Sequence, residues 1–197
     1  MARPAKFSDE LILDGAASAI EQHGAAATIA QVSAVVGAPV GSIYHRYPSR
    51  EHLLATLWLR SIRRFHAGLL ATADIADPRE ALLAQAVHIP RFCRSHPTDA
   101  LVMSLYSQRE LVATGPESLR EEVSGVNDEI WALGRRQTRV LFGTSAARVS
   151  QVVAMAIRQT PYGMVRPFVR SQQPLPRWLD DAARAAAGAV LDLAPTR

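Results

Sequence analysis

Apolar residues along this chain recur at spacings of three and four, the period of a helix that buries one face. Strict alternation bounded by turn residues is scarce, so strands are not expected. Ser8 reads as an N-cap, and Ile12, Ala16, Ala19, Ile20 and His23 share one face of a first helix that Gly24 ends. Thr28 caps a short second helix with Ile29, Val32, Ser33 and Val36 inward, and Gly37 breaks it. A third short helix opens near Pro39, where a missing N–H costs nothing, and runs to about Arg46. Ser49 then caps a long fourth helix carrying Leu53, Leu54, Leu57, Trp58, Ile62 and Phe65.

Proline punctuates the rest. Asp77-Pro78 is an N-cap with a proline in the first turn, opening a helix to about Ser95; His96-Pro97 ends it and starts another, to about Val112. A loop at 113–115 leads through Pro116 into a long helix ending at Phe142-Gly143. Ser145 is expected to cap the next helix, with Val149, Val152, Val153, Ala156 and Ile157 on one face, and Pro161 to end or kink it. Pro174 and Pro176 bracket a link to a last helix from about Arg177 to Leu193. The expectation is an all-α chain of about nine helices. An N-terminal three-helix unit spans 1–50, the fourth helix connects over 50–72, and a helical body fills 51–197.

The segment from Thr28 to Leu54 is the informative one. Two short helices joined by a tight glycine turn form the unit that sets its second helix in a DNA major groove. Ser33, four residues before Gly37, is small enough for the two helices to cross closely. The segment resembles the DNA-binding domain of TetR-family transcriptional regulators. The matching residues are Ile12-Leu13, Ala16, Gly24, Thr28, Val32, Gly37, Gly41-Ser42-Ile43-Tyr44, His45-Arg46-Tyr47, Ser49-Arg50 and Leu53-Leu54. They cover roughly residues 8–55. Departures are Gly15 for a usual alanine, Ala19-Ile20 for a Leu-Phe pair, Ser33 for alanine, and Pro39-Val40 for a Ser-Lys opening of the recognition helix.

The resemblance implies a ligand-responsive, sequence-specific regulator, a repressor released from a palindromic double-stranded operator by a small molecule. Thr28, Ser42, Tyr44 and Arg50 are its phosphate contacts, and Pro39, Val40 and His45 face the groove. Lys6, with Arg3, is a candidate arm toward the backbone or minor groove. A homodimer through the last two helices is implied, with Ala182, Ala183, Ala185, Ala186, Ala187, Gly188 and Ala189 as its small-residue surface. Residues expected at an effector pocket are Phe92, Met103, Tyr106, Trp131, Met155, Arg158, Gln159 and Tyr162, each of which also fits plain core packing. The alternative is an all-helical small-molecule-binding protein whose DNA-binding head is degenerate.

Composition narrows this further. The chain has 197 residues, 48% apolar and 20% charged, enough for a real core. No run of 18 uncharged apolar residues and no signal-like N-terminal stretch occur, so neither a membrane partner nor export is expected and the location is read as cytoplasmic. Cys93 is the single cysteine, so an intrachain disulfide is excluded and a buried structural role is expected. The net charge of +4 is spread evenly, with seven basic and five acidic residues over 1–66 and 15 and 13 over 67–197; it allows nucleic-acid binding without requiring it. Of 22 basic residues only Lys6 is a lysine. Cys93-x-x-His96 lacks the second pair a zinc site needs. No histidine has an acidic residue three before it, and no nucleophile elbow, dinucleotide or phosphate-loop motif occurs. No metal, cofactor or catalytic activity is therefore expected. The Arg135, Arg136 and Arg139 cluster reads as a solvated face paired with Asp128 and Glu129, with a phosphate or acidic-ligand role as the alternative.

Overall fold

The computed structural model describes residues 7–194, and its regular elements are all helical. Lys6 and Arg3, the expected arm, lie outside the described residues. The α-helices are α1 (Asp9–His23), α2 (Ile29–Val36), α3 (Val40–Tyr44), α4 (Arg50–Leu70), α5 (Pro78–Ser95), α6 (Pro97–Leu105), α7 (Gln108–Thr114), α8 (Arg120–Gly125), α9 (Asp128–Phe142), α10 (Ala147–Ala154), α11 (Thr160–Arg170) and α12 (Leu179–Leu191). A π-helical turn, Met155–Gln159, joins α10 to α11 without a break.

Local chemistry explains most boundaries. Ser8 accepts from the Leu11 N–H, and Gly24 ends α1 at φ 56°. Thr28 and Gln31 form a reciprocal capping box on α2, and Gly37 closes it in the left-handed region at φ 68°. Asp77 caps α5 by accepting from the N–H groups of Arg79 and Glu80. Gly143, at φ 67°, ends α9.

Several expected boundaries are corrected. The helix from Pro97 stops at Leu105, because Ser107 and Glu110 form a second capping box that starts α7. Those hydrogen bonds hold the Glu110 carboxyl below its ordinary range. The expected long helix after Pro116 is a 3-10 turn over Glu117–Leu119, then α8, then α9, interrupted at Val126-Asn127. The residues there, Ser124, Gly125 and Asn127, are poor helix formers. Ala146, not Ser145, precedes α10, and its N–H donates to the Thr144 hydroxyl. Pro161 neither ends nor breaks the helix. It lacks an N–H and its ring crowds the carbonyl four residues back, and the π turn before it lengthens the loop so that the Thr160 N–H bonds Met155 O. The third helix ends at Tyr44 rather than Arg46.

The chain forms two compact units. The first runs to Ile62 and takes in Leu101–Val126; the second comprises Arg63–Ala100 and the chain from Asn127 onward. The first unit has one core, built on Ile12, Ile20, Val32, Ile43, Leu53, Leu57, Val102 and Val123. His23, expected on the inward face of α1, is exposed. In the second unit α12 lies on α5, with Ala183 and Ala187 buried and Ala187 in one cluster with Leu82, Leu83 and Ala86. Part of the alanine stripe is therefore an internal face. Cys93 is buried, and burial pushes its thiol up to about 12, which removes thiolate chemistry near neutral pH.

Candidate nucleic-acid interface and effector cavity

In the first unit α1 and α2 cross closely. A Cβ on Gly15 would overlap Val36 Cγ2, so the glycine at this point of α1 is what lets α2 approach. Ser33, the residue expected to permit that approach, instead donates its hydroxyl to Ala38 O at 2.6 Å and ties down the turn into α3. Ile43 anchors α3 to the core. Tyr47 is also buried, and burial, with Asp9 adding to it, pushes its phenol up to about 12.

With Ile43 inward, α3 turns the other way Pro39, Val40, Tyr44 and His45, all exposed, with Ser42 half-buried beside them. Tyr44 is 47% exposed and Val40 39%, high values for large side chains that no neighbour in the unit covers. The expected phosphate contacts divide into two kinds. Tyr44 and Ser42 make no side-chain hydrogen bond within the described residues. Thr28 donates to Gln31 Oε1 and accepts from Gln31 N–H, so its hydroxyl already serves the cap. Arg50 is committed more deeply. Its Nε donates to Ala27 O at 2.6 Å and its Nη2 to Ala25 O, which clamps the turn between α1 and α2 onto the start of α4. Arg46, the fixed charge of the recognition helix region, pairs with Asp9 at 2.5 Å. Arg60 bridges Glu10 and Asp14 of α1 at 2.9 and 2.8 Å.

The second unit holds a cavity of about 400 Å³. Phe65, His66 and Leu69 of α4, Gln85 and Ile89 of α5, and Ile130, Trp131, Gly134, Arg135 and Thr138 of α9 form much of its wall. Asn127, then Ser150, Val153 and Ala154 of α10, and Ile157 and Arg158 of the π turn complete it. The π turn that accommodates Pro161 thus also supplies cavity wall, a common placement for such turns. Buried Gln85 donates to Gln137 and to the Thr72 hydroxyl at 3.2 Å, which fixes one polar edge of the wall. Burial holds the His66 imidazole below its ordinary pKa, against a hydrogen bond with Asn127 that raises it.

Of the residues expected at a pocket, Trp131 and Arg158 line this cavity. Phe92 does not: it is buried in an aromatic cluster with Phe65, His88 and His96. Met103 and Tyr106 pack against the core of the first unit. Met155, Gln159 and Tyr162 are exposed on the outer side of their helix. Sequence reasoning did not pick out His66 or Gln85, and it read Arg135 within a basic cluster rather than at a pocket. They come together only through the mutual register of α4, α5 and α9. Among the described residues no group of three or more histidine, cysteine or acidic side chains could hold a metal ion. No single described helix is long and apolar enough to cross a membrane.

A helix-turn-helix with an uncovered second helix, joined in one chain to an all-helical body that encloses a cavity, defines a helix-turn-helix regulator fold. Residues 12–57 match the family described as bacterial regulatory proteins, tetR family. The chain therefore carries the TetR-family N-terminal domain, with its helix-turn-helix DNA-binding motif, on the fold of TetR-family transcriptional regulators. A transcriptional regulator from Rhodococcus sp. Rha1 is similar with TM-score 0.71 at 18% identity, covering 94% of this chain and 96% of that one. The TetR-family regulator PfmR from Thermus thermophilus gives TM-score 0.70 at 20% identity, covering 92% and 97%. The regulator FadR from Bacillus subtilis, solved in complex with stearoyl-CoA, gives 0.71 at 15% identity, covering 93% and 98%. At these identities the likeness establishes the fold. No curated protein matches the chain at a significant level.

Proposed function

We propose that the protein is a sequence-specific DNA-binding regulator that acts as a homodimer and responds to a small molecule held in the second-unit cavity, most simply as a repressor that the molecule releases. The observation that carries this reading is the bare outer face of α3, where Pro39, Val40, Tyr44 and His45 stand free while the side chains around them are packed or capped. Val40 suits a thymine methyl, His45 a guanine edge or a phosphate, and Tyr44 and Ser42 phosphate oxygens. Arg50 and Thr28 then act by holding the turn that presents α3, and a phosphate would share them with that duty.

One such head supplies little affinity, so two copies are required. The large apolar side chains left open near the last helices, Trp178 at 60%, Leu193 at 71% and Tyr162, together with exposed Ala185 and Ala189, support a second copy as the partner there. The cavity supports an effector, and FadR from Bacillus subtilis, of the same fold, was solved with a small molecule bound. Helix α4 belongs to the head at its N-terminal end and to the cavity wall at Phe65, His66 and Leu69, so one continuous element has a stake in both. Action on DNA places the protein in the cytoplasm.

The test is fluorescence anisotropy of the protein with the DNA upstream of its own coding sequence, against unrelated competitor DNA over a range of salt. Preference for that DNA, with one dimer or a pair of dimers per site, is expected. Equal binding to all fragments would instead favour a small-molecule-binding protein with a degenerate head.

A further inference from the structure

The charged residues in the cavity wall are of one sign. Among its lining side chains are two arginines, Arg135 on α9 and Arg158 on the π turn, and no aspartate or glutamate. Neither guanidinium has an ion-pair or hydrogen-bond partner among the described residues. Helical neighbours do not help: three and four positions away from Arg135 lie Ala132, Trp131, Thr138 and Arg139, and four from Arg158 lie Ala154 and Tyr162. Elsewhere in the unit arginines do find carboxylates, as Arg91 and Arg94 do with Asp180, Arg79 with Asp192, and Arg184 with Glu80. Other exposed arginines of the unit, Arg136, Arg148, Arg166, Arg170 and Arg177, also lack such partners, but Arg135 and Arg158 are the two that line the cavity. Both side chains are exposed, which places them at its mouth, while Phe65, Leu69, Ile89 and Val153 give it an apolar interior.

From this pairing we infer that the effector is a compact amphipathic organic acid. Its hydrocarbon or aryl body fills the apolar interior, and its anionic head takes the forked N–H groups of Arg135 and Arg158 at the mouth. The cavity's volume, at the lower end for small-molecule sites, calls for a compact body. The histidine within, held neutral by burial, adds no charge that would draw the acid deeper. The inference rests on the cavity being the effector site, and the experiment separates the two claims.

Two fluorescent probes share one ring system: 8-anilinonaphthalene-1-sulfonate carries an acid group, and N-phenyl-1-naphthylamine carries none. Each is titrated into the full-length protein, into the double variant R135Q/R158Q, and into A154F, which fills the cavity. The acidic probe is expected to bind the native protein at least about tenfold more tightly than the neutral one, as charge-assisted hydrogen bonds imply. R135Q/R158Q should abolish that advantage and leave the neutral probe's affinity unchanged, with helix content intact by circular dichroism. A154F should weaken both probes. Equal affinities of the two probes for the native protein, or an advantage that survives R135Q/R158Q, would overturn the acid inference while leaving the cavity as the effector site. Binding of neither probe, or binding that A154F does not touch, would overturn the cavity reading and the inference with it.

Discussion

The helix-turn-helix region and the cavity wall use arginine in opposite ways. Over residues 7–62 of the head each arginine is committed to the head itself: Arg46 to Asp9, Arg60 to Glu10 and Asp14, and Arg50 to the carbonyls of Ala25 and Ala27. In the second unit Arg135 and Arg158 stand without partners around a cavity. A surface that reads DNA is ordinarily rich in free positive charge, yet here the cavity wall carries free charge and the outer face of α3 is almost neutral. The head's charge builds a small, short-helix unit that helix propensity alone would leave marginal. On the proposed function, recognition would rest on hydroxyls, one imidazole, an apolar side chain and the symmetry of two copies.

The sharpest break of this contrast is between Arg50→Ala and Tyr44→Ala. Losing Arg50 strands two carbonyls and frees the turn before α2, so unfolding should become easier by about 2–3 kcal/mol, the scale of hydrogen bonds to a charged group. Operator binding should fall with it, because α3 is no longer presented in one orientation. Tyr44→Ala should cost about 1–2 kcal/mol of DNA binding per head and leave thermal stability unchanged. Thermal melts and anisotropy on both variants check this. Equal melting points would mean that the Arg50 clamp holds nothing, and the arginine would revert to a direct phosphate contact.

Gly15→Ala comes next. The added methyl meets Val36 Cγ2, and overpacking of this kind costs about 1–3 kcal/mol, set against about 1 kcal/mol gained from helix propensity. A net loss of melting temperature is expected, and the companion change Val36→Ala in the same chain should recover it. A more stable single variant would show that α1 and α2 can separate freely.

These residues also mark how far the sequence could be read. The helix-turn-helix was legible because its signals are local: Ser8, Thr28, Gly24 and Gly37 act on groups within a few residues. The capping box at Ser107 and Glu110 was equally local, and its S-x-x-E spacing was the signal that would have split the expected helix. Pro161 misled because a proline's cost depends on what the preceding turn can do, and the π turn absorbed it. Arg50 looked like a phosphate contact, since its acceptors lie 23 and 25 residues back in sequence and only the turn's folded path brings them to it. The cavity was the least legible. Trp131 and Arg158 stood out as types and Arg135 as part of a basic cluster, but with His66 and Gln85 they become wall residues only when α4, α5 and α9 take their mutual register.

If the head's charge is internal, DNA affinity should depend weakly on salt. Each phosphate neutralised contributes about −0.9 to the slope of log affinity against log salt, so two heads with at most two such contacts each give a slope no steeper than about −4. Anisotropy between about 50 and 200 mM salt measures it. A slope near about −8 would mean that Arg46 or Arg50 leaves its partner for phosphate on binding. In that case Asp9→Asn, which spares Arg46 the loss of its partner, would raise affinity.

The smallest effect concerns the histidines of the second unit. Burial lowers the pKa of His66 and of His88 from the ordinary 6.5, and hydrogen bonds with Asn127 and with Phe65 O, at 2.9 Å, only partly offset it. His88 has little room to rearrange, since its ring lies so close over Gly68 that a Cβ there would overlap it. Below about pH 6.5 the unfolded chain therefore binds more protons than the folded one, and stability must rise with pH through that region and level off above it. A decline in melting temperature is expected as pH falls from about 7 toward 5. It should be flatter in the variant H66Q/H88Q. Hydrogen exchange at the lower pH should show protection lost first in α5 and α9 and retained in α1 and α2. Loss that begins in the head would show that the buried histidines do not set the acid sensitivity, and the contrast between the ion-paired head and the cavity-bearing body would then not be visible as the order in which the two units open.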